Sequence, residues 1–395
     1  MKRSSPLQHL GSTRIFARRG VGLLVVTLVV PLLTAAPAQA NRFGALLDSS
    51  QQARGIEVPD KPVDPPTVDA APFATEASTV RFLSQATFGA TPEDIDRLVG
   101  TSVSVWFREQ FNAAPSDFLT TVEEYQARLP FLIDNPWNIS ATSFAFWRHT
   151  IGGSDQLRQR MAYALSQILV ISNGNNDLSQ YPEAVAYHHN LLTEHSFGSY
   201  RALLEDITYS PGMGYYLTYM GNQKADPETG RQPDENYARE LMQLFSIGLI
   251  DLNADGTPSY PADGSAVPTE LYTNADITGL AKVFTGLSLA VNPDDARADP
   301  EAPEVLASWR QPMAVYPEYH STAAKTFLGL TIPENTPLAE SIDLALDHLM
   351  GINSMAPFLS RQLIQRFTTS DPSTGYVARV SQVFDVGRYT LPDGT

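Results

Sequence analysis

PDENYARELMQLFSIG, residues 233–248, is a helix written out together with both of its ends. Pro233 has a preset φ and no N–H to lose, which suits a helix entry. Asp234 is a good N-cap, and Glu235 sets negative charge near the positive end of the helix dipole. Gly248 stands where a helix turns left-handed and stops. Between these ends Tyr237, Leu241, Leu244 and Phe245 recur at helical spacing and form a stripe that faces a core. Glu235 and Arg239 lie four apart, as do Asn236 and Glu240. Glu before Arg at that spacing is the favourable order, worth roughly 0.2–0.5 kcal/mol when exposed. Two readings stay open. Either the helix is capped and amphipathic with surface pairs, or Arg239 holds Glu235 and Glu240 in a buried polar cluster beside a cleft.

The same grammar extends outward in both directions. Thr91, Pro92, Glu93 and Asp94 supply an N-cap, a proline at the first position and an acidic first turn, and Gly100 ends that short helix. Ser154 and Asp155 open a helix with Leu157, Met161, Leu165, Ile168 and Leu169 on one face. Pro182 opens another, which stops near Gly198, and short helices are expected over 200–207 and 215–220. Thr273 with Asp276 forms a capping box before Ile277, Leu280 and Phe284. Helices near 338–350, 356–367 and 375–384 complete the set. Alternating strand patterns are scarce, and no internal repeat is present. The fold class is therefore mainly α: an irregular multi-helix domain with long polar loops and one small β-hairpin. The hairpin is expected within 251–271, where NADG at 253–256 is a turn sequence. Segments 222–232 and 287–318 read as polar loops, the second exposed, and loops of such length tend to carry function.

The N-terminus reads as a leader. Lys2, Arg3, Arg14, Arg18 and Arg19 precede an apolar run over 21–33, and Ala38-Gln39-Ala40 is a small-residue cleavage site, so 1–40 is a signal peptide. The run is short for a membrane span and contains Pro31. Arg18-Arg19 fits the twin-arginine route less well than the ordinary secretory one. Residues 41–75, rich in Pro, Asp and Ala, form a linker, and 76–395 is the helical domain. The expected location is periplasmic or extracellular.

The chain has 395 residues, 43% of them hydrophobic, and no cysteine. That length supports a sizeable core, and the missing cysteines exclude disulfides, thiolate metal sites and a cysteine nucleophile. The formal net charge is −16, and losing the five basic residues of the leader takes it to −21. Such a surface repels nucleic acid and anionic membranes.

Candidate chemistry is sparse. Asp251, Asn253, Asp255 and Gly256 match the first half of a calcium loop, but its closing Glu is missing, and a hairpin turn explains them better. His188, His189 and His195 share one predicted helix, with His188 and His195 seven apart where a helical metal site wants four, so they read as capping and packing histidines. No GxSxG elbow, phosphate-binding glycine loop or dinucleotide fingerprint occurs, and no cofactor is called for. What remains is carboxylates. Glu235, Glu240 and Asp276 are the candidate catalytic groups, because two acids with separated pKa values can run hydrolysis. Asn236, Arg239 and His195 are the candidate binding groups.

The 233–248 string resembles the signature of domain-of-unknown-function family 1800, a group of exported bacterial proteins. RFLSQATFGATP at 81–92 looks like its N-terminal motif. HSFGSYRALL at 195–204, followed by SPGM at 210–213, looks like its middle motif. YTNAD at 272–276, running to FTG at 284–286, resembles the helix after the signature, and 358–367 with Asp371-Pro372 resembles the C-terminal motif. The resemblance spans about 80–384. It implies a role for the signature side chains beyond a decorated surface, and no particular reaction. Members are often encoded beside a second exported family resembling sulfatases and phosphatases, so such a protein is the expected partner. The expected function is a binding cleft or structural network around the carboxylate–Arg cluster. The alternatives are a carboxylate-dependent hydrolase of an extracellular polymer, and a surface assembly or adhesion module without chemistry. Members also continue beyond this point, whereas Gly387 leads into an unreturned strand and a Pro-Asp-Gly turn. The chain is thus expected to be a fragment whose missing part covers apolar surface around Leu359, Leu363 and Phe367.

Overall fold

The computed structural model describes residues 72–128, 138–174, 178–291 and 302–387. The predicted leader, most of the linker and the strand after Gly387 lie outside these residues. The chain divides into units Met1–Thr67 and Val68–Thr395, and every described residue belongs to the second. No described helix is long and apolar enough to cross a membrane.

The class is mainly α, as the spacing of apolar residues requires. Helices α1 (Glu76–Ala86), α2 (Pro92–Leu98) and α3 (Val103–Asn112) gather Leu83, Leu98 and Trp106 into a small core. Phe73 belongs to that core and is wholly buried, so the packed chain already includes residues ahead of the expected start at 76. Thr91 caps α2 as its sequence demands, its hydroxyl accepting the Asp94 N–H at 3.1 Å. Helices α4 (Phe118–Arg128), α5 (Asn138–Gly152), α6 (Gln156–Ser166) and α7 (Pro182–Glu194) pack on one another. After α7, α8 (Tyr200–Thr208) and α9 (Pro211–Tyr216) lead to the signature segment.

That segment departs from a plain helix. It is α-helical over Asn236–Glu240 (α10) and then widens into a π-helix over Leu241–Ser246. The wider turn moves Leu244 off the expected apolar stripe, and it is exposed. Tyr237, Leu241, Met242 and Phe245 are the buried members. Tyr200 Oη donates to the Phe245 carbonyl at 2.8 Å, and Ser246 Oγ donates to the Leu241 carbonyl at 2.5 Å, satisfying groups that the widened turn loosens. Gly248, at φ +79, provides the left-handed stop, with the Phe358 ring against it. π-turns inside helices gather at functional sites.

The remaining elements support this centre. Helix α11 (Asn274–Ala281) packs on α10 and on the hairpin β3 (Lys325–Phe327) and β4 (Leu330–Ile332), introduced after β1 (Leu287–Ser288), α12 (Pro303–Ser308) and β2 (Ala314–Val315). The regular hairpin is thus at 325–332 rather than within 251–271, where only isolated bridges such as Ile250↔Glu270 and Leu252↔Pro258 form. Pro258, Pro261 and Pro268 each lack the N–H that a continuous ladder needs at their positions. Segment 287–318 is also not simply an exposed loop, because Val305 and Trp309 are buried and Trp309 stacks on Tyr181 at 4.1 Å. Helices α13 (Leu338–Met350), α14 (Met355–Phe367) and α15 (Thr374–Val386) close the chain. Leu359 is fully buried and Leu363 and Phe367 half-buried, with α15 packed on α14.

Candidate functional site

The chain enters the signature helix through a tight polar lock. Asp234 N–H donates to Asn222 Oδ1 at 2.9 Å, and Asn222 Nδ2 returns a bond to the Asp234 carbonyl at 3.3 Å. The helix begins at Asn236 with Glu235 as its N-cap, one residue later than expected, and Asp234 Oδ1 accepts the Asn236 N–H at 2.8 Å just ahead of it. Asp234 Oδ2 accepts from Thr218 Oγ1 at 3.1 Å. Thr218 sits at φ +62, strain that a β-branched residue carries at a cost on the order of 1–2 kcal/mol. The Asn236 side chain turns to Thr218 at 3.4 Å, and so does not meet Glu240.

The two acids of the helix have different surroundings. Glu235 Oε1 accepts from Thr278 Oγ1 on α11 at 2.7 Å, and its Oε2 meets Arg239 Nη2 at 3.4 Å. The Glu235–Arg239 pair is only partly covered, with side-chain exposures of 32% and 39%. Arg239 therefore does not clamp Glu235 and Glu240 together in the interior. An exposed i,i+4 pair contributes little, so Arg239→Ala is expected to cost less than about 1 kcal/mol in denaturant unfolding. A loss of about 3 kcal/mol or more would contradict the pairing described.

Glu240 is the buried acid. It is 4% exposed, and Oε2 has no hydrogen-bond partner among the described residues. Burial pushes its pKa up, against the weaker opposing pull of Arg239. The Glu240 charge bears on two tyrosines that the sequence reading did not tie to the helix, because nothing in their spacing links them to it. Tyr272 stands just ahead of α11, and its hydroxyl is buried without a partner. Burial and then the Glu240 charge raise its pKa. Tyr216, at the end of α9, is raised by the same two causes in the same order. One unpaired acceptor and one unpaired donor are thus buried here, and the Glu240 charge bears on the Tyr272 hydroxyl.

Asp276 is fully employed elsewhere. Its Oδ2 accepts the Thr273 N–H and Oγ1, both at 2.7 Å, completing the expected capping box. Its Oδ1 accepts the Leu328 N–H at 2.7 Å. Leu328 and Gly329, at φ +48 and +80, form the hairpin's two-residue turn, whose outward N–H has no ladder partner. Burial raises the Asp276 pKa, but the Thr273 and Leu328 hydrogen bonds outweigh it and leave the pKa lowered. Asp276 therefore fastens α11 to the hairpin.

The other candidates lie apart from this cluster in their bonding. His195 Nε2 pairs with Asp206 Oδ2 at 2.5 Å. His188 is buried with Nε2 3.1 Å from the Leu169 carbonyl, and His189 packs its ring 3.7 Å from that of Phe118. Asp251 Oδ1 accepts from Ser354 Oγ at 2.8 Å, and Asn253 Nδ2 donates to Thr257 Oγ1 at 3.0 Å. Asp255 Oδ1 accepts the Thr257 N–H at 3.0 Å. Asn253 and Asp255 spend their side chains on turn bonds, and Asp251 spends its own on a distant serine. Among the described residues no group of three or more His, Asp or Glu is placed to hold a metal ion.

Residues 81–393 match the model of a family described as "Protein of unknown function (DUF1800)". No curated protein and no solved structure matches the chain.

Proposed function

The chain belongs to the DUF1800 family, and from that premise we propose that it is an exported binding protein whose signature helix offers Glu240 to a hydroxyl-rich ligand. The observation that carries this reading is the buried Glu240 Oε2 without a partner, whose charge bears on the equally unpartnered Tyr272 hydroxyl. A buried acceptor and donor left unpaired each cost about 1–3 kcal/mol, which a ligand hydroxyl would relieve by bonding to both. The π-turn that follows Glu240 and the strained Thr218 that anchors the helix entry agree with a functional site. A sugar of an extracellular polymer has the required chemistry, and export through the leader would bring the protein to it.

Hydrolysis by a carboxylate pair has less support. Glu240 with its raised pKa resembles a general acid. A second free carboxylate is needed beside it, however, and Glu235 and Asp276 spend their oxygens on Thr278, Arg239, Thr273 and Leu328. Binding without turnover is the simpler account. A partner exported protein of the sulfatase and phosphatase kind fits it, as the enzyme acting on what this chain holds.

A panel of neutral oligosaccharides, read by thermal shift and calorimetry, tests the proposal. At least one is expected to stabilise the wild type, with the response lost in Glu240→Gln and in Tyr272→Phe. Equal responses in wild type and variants, or none across the panel, would contradict it.

A further inference from the structure

A second group of side chains is left over from the signature helix and its surroundings. Lys325 opens β3 with its side chain wholly buried, and its Nζ has no hydrogen-bond partner. His320 is 5% exposed, and its Nε2 is likewise buried and unpartnered. Its Nδ1 lies 2.8 Å from the Thr285 carbonyl, which can only accept, so Nδ1 carries the proton. Lys282 follows α11 directly and is half-buried. Its Nζ donates to the carbonyl of Ala324, the residue before Lys325, at 3.3 Å.

Thr285 ties these segments together. Its hydroxyl donates to the Lys282 carbonyl at 2.8 Å and accepts the Ser321 N–H at 2.9 Å. The charge that bears on Lys325 is the like charge of Lys282, and burial with that repulsion lowers its pKa. Burial lowers the pKa of His320 as well and Lys325 adds to it, against the opposing backbone hydrogen bonds of Thr285 and Thr336. No carboxylate among the described residues pairs with either lysine. A chain with net charge −16 has acids to spare, so a buried lysine and histidine and a half-buried lysine without one call for an explanation.

A buried ammonium without an acceptor costs several kcal/mol, and it persists where something neutralises it. We propose that Lys325, His320 and Lys282 bind a small inorganic anion, with Lys325 Nζ as the central donor. Charge-assisted bonds from two ammonium groups are the strong kind, and they need no particular acceptor geometry because each ammonium rotates freely. His320 adds a third donor once Nε2 is protonated, the form that a neighbouring anion favours. Phosphate, sulfate and chloride share this chemistry. This assignment does not depend on Glu240.

Thermal unfolding of the full chain in a zwitterionic buffer, titrated at matched ionic strength with sodium phosphate, sulfate and chloride, tests the site. The wild-type midpoint is expected to rise saturably with at least one of the three, and the anion giving the largest rise identifies the preferred ligand. In Lys325→Met the rise should disappear or need about tenfold or more higher concentration. Lys282→Met, at a half-buried position that tolerates change, should weaken the response in the same direction. A wild type indifferent to all three anions would overturn the proposal. So would parallel rises in the wild type and in whichever of these variants folds.

Discussion

Gly279→Ala is expected to be among the most damaging single substitutions in this protein. An ideal Cβ at Gly279 would stand 1.8 Å from the Thr326 carbonyl oxygen and 2.8 Å from its carbon. Both are backbone atoms of β3, so no side chain can swing aside. The hairpin would have to leave α11, breaking the bond from Leu328 N–H to Asp276 Oδ1 and uncovering Phe327 and Ile332, which are wholly buried. Overpacking with such a displacement costs on the order of 4 kcal/mol, the upper end for one substitution. Gly375→Ala is the control, because its added Cβ meets nothing nearer than Arg379 Nη1 at 3.8 Å. Denaturant unfolding should separate the two variants widely. A Gly279→Ala midpoint equal to that of Gly375→Ala would contradict the close approach of α11 to the hairpin.

Acid should unfold this protein well before its carboxylates titrate. Burial lowers the pKa of His188 to about 4 and that of His189 to about 3, from the usual 6.5, with His188 and His149 adding to the second. His149 is lowered too, first by burial. The unfolded chain takes up protons below pH about 6.5 that the folded chain refuses. Stability is therefore complete above that value and falls as pH drops toward 4. Each such group contributes about 1.36 kcal/mol per pH unit, giving a loss on the order of 5 kcal/mol between pH 7 and 4. Glu240 works in the opposite direction, since its raised pKa favours the fold at low pH, but it is one group against two or three. Chemical denaturation at several pH values measures the slope. His189→Leu should flatten it, and equal stabilities at pH 7 and pH 5 would contradict the buried neutral histidines.

The local punctuation of the helices was legible because it is carried by neighbours in sequence. Thr91 with Asp94, Thr273 with Asp276, Pro182 and Gly248 each mark an end through contacts within a few residues. The π-turn was not legible, since the tilt that exposes Leu244 depends on Tyr200 and Ser246 taking up loosened carbonyls. The hairpin at 325–332 was not legible because its turn uses Leu328 at positive φ, a residue no turn rule favours there. It is held by Asp276 and by His348 Nε2, 3.0 Å from the Leu328 carbonyl. Within the site, the string named the acids but not their division of labour. Spacing alone cannot tell that Thr278 and Arg239 occupy Glu235 while Glu240 is buried with an oxygen left unpartnered. The buried lysine of β3 gave no signal, because a lone Lys before Thr-Phe reads as an edge residue.

Glu240 is a buried acid with an unengaged oxygen. Carbon-13 NMR of glutamate-labelled protein, with the Glu240 side-chain carboxyl assigned by its loss in Glu240→Gln, measures this directly. The predicted result is a carboxyl that titrates above the ordinary glutamate value of about 4.3, and that shifts when a stabilising oligosaccharide is added. A Glu240 carboxyl titrating at or below that value, and unmoved by any such ligand, would contradict it.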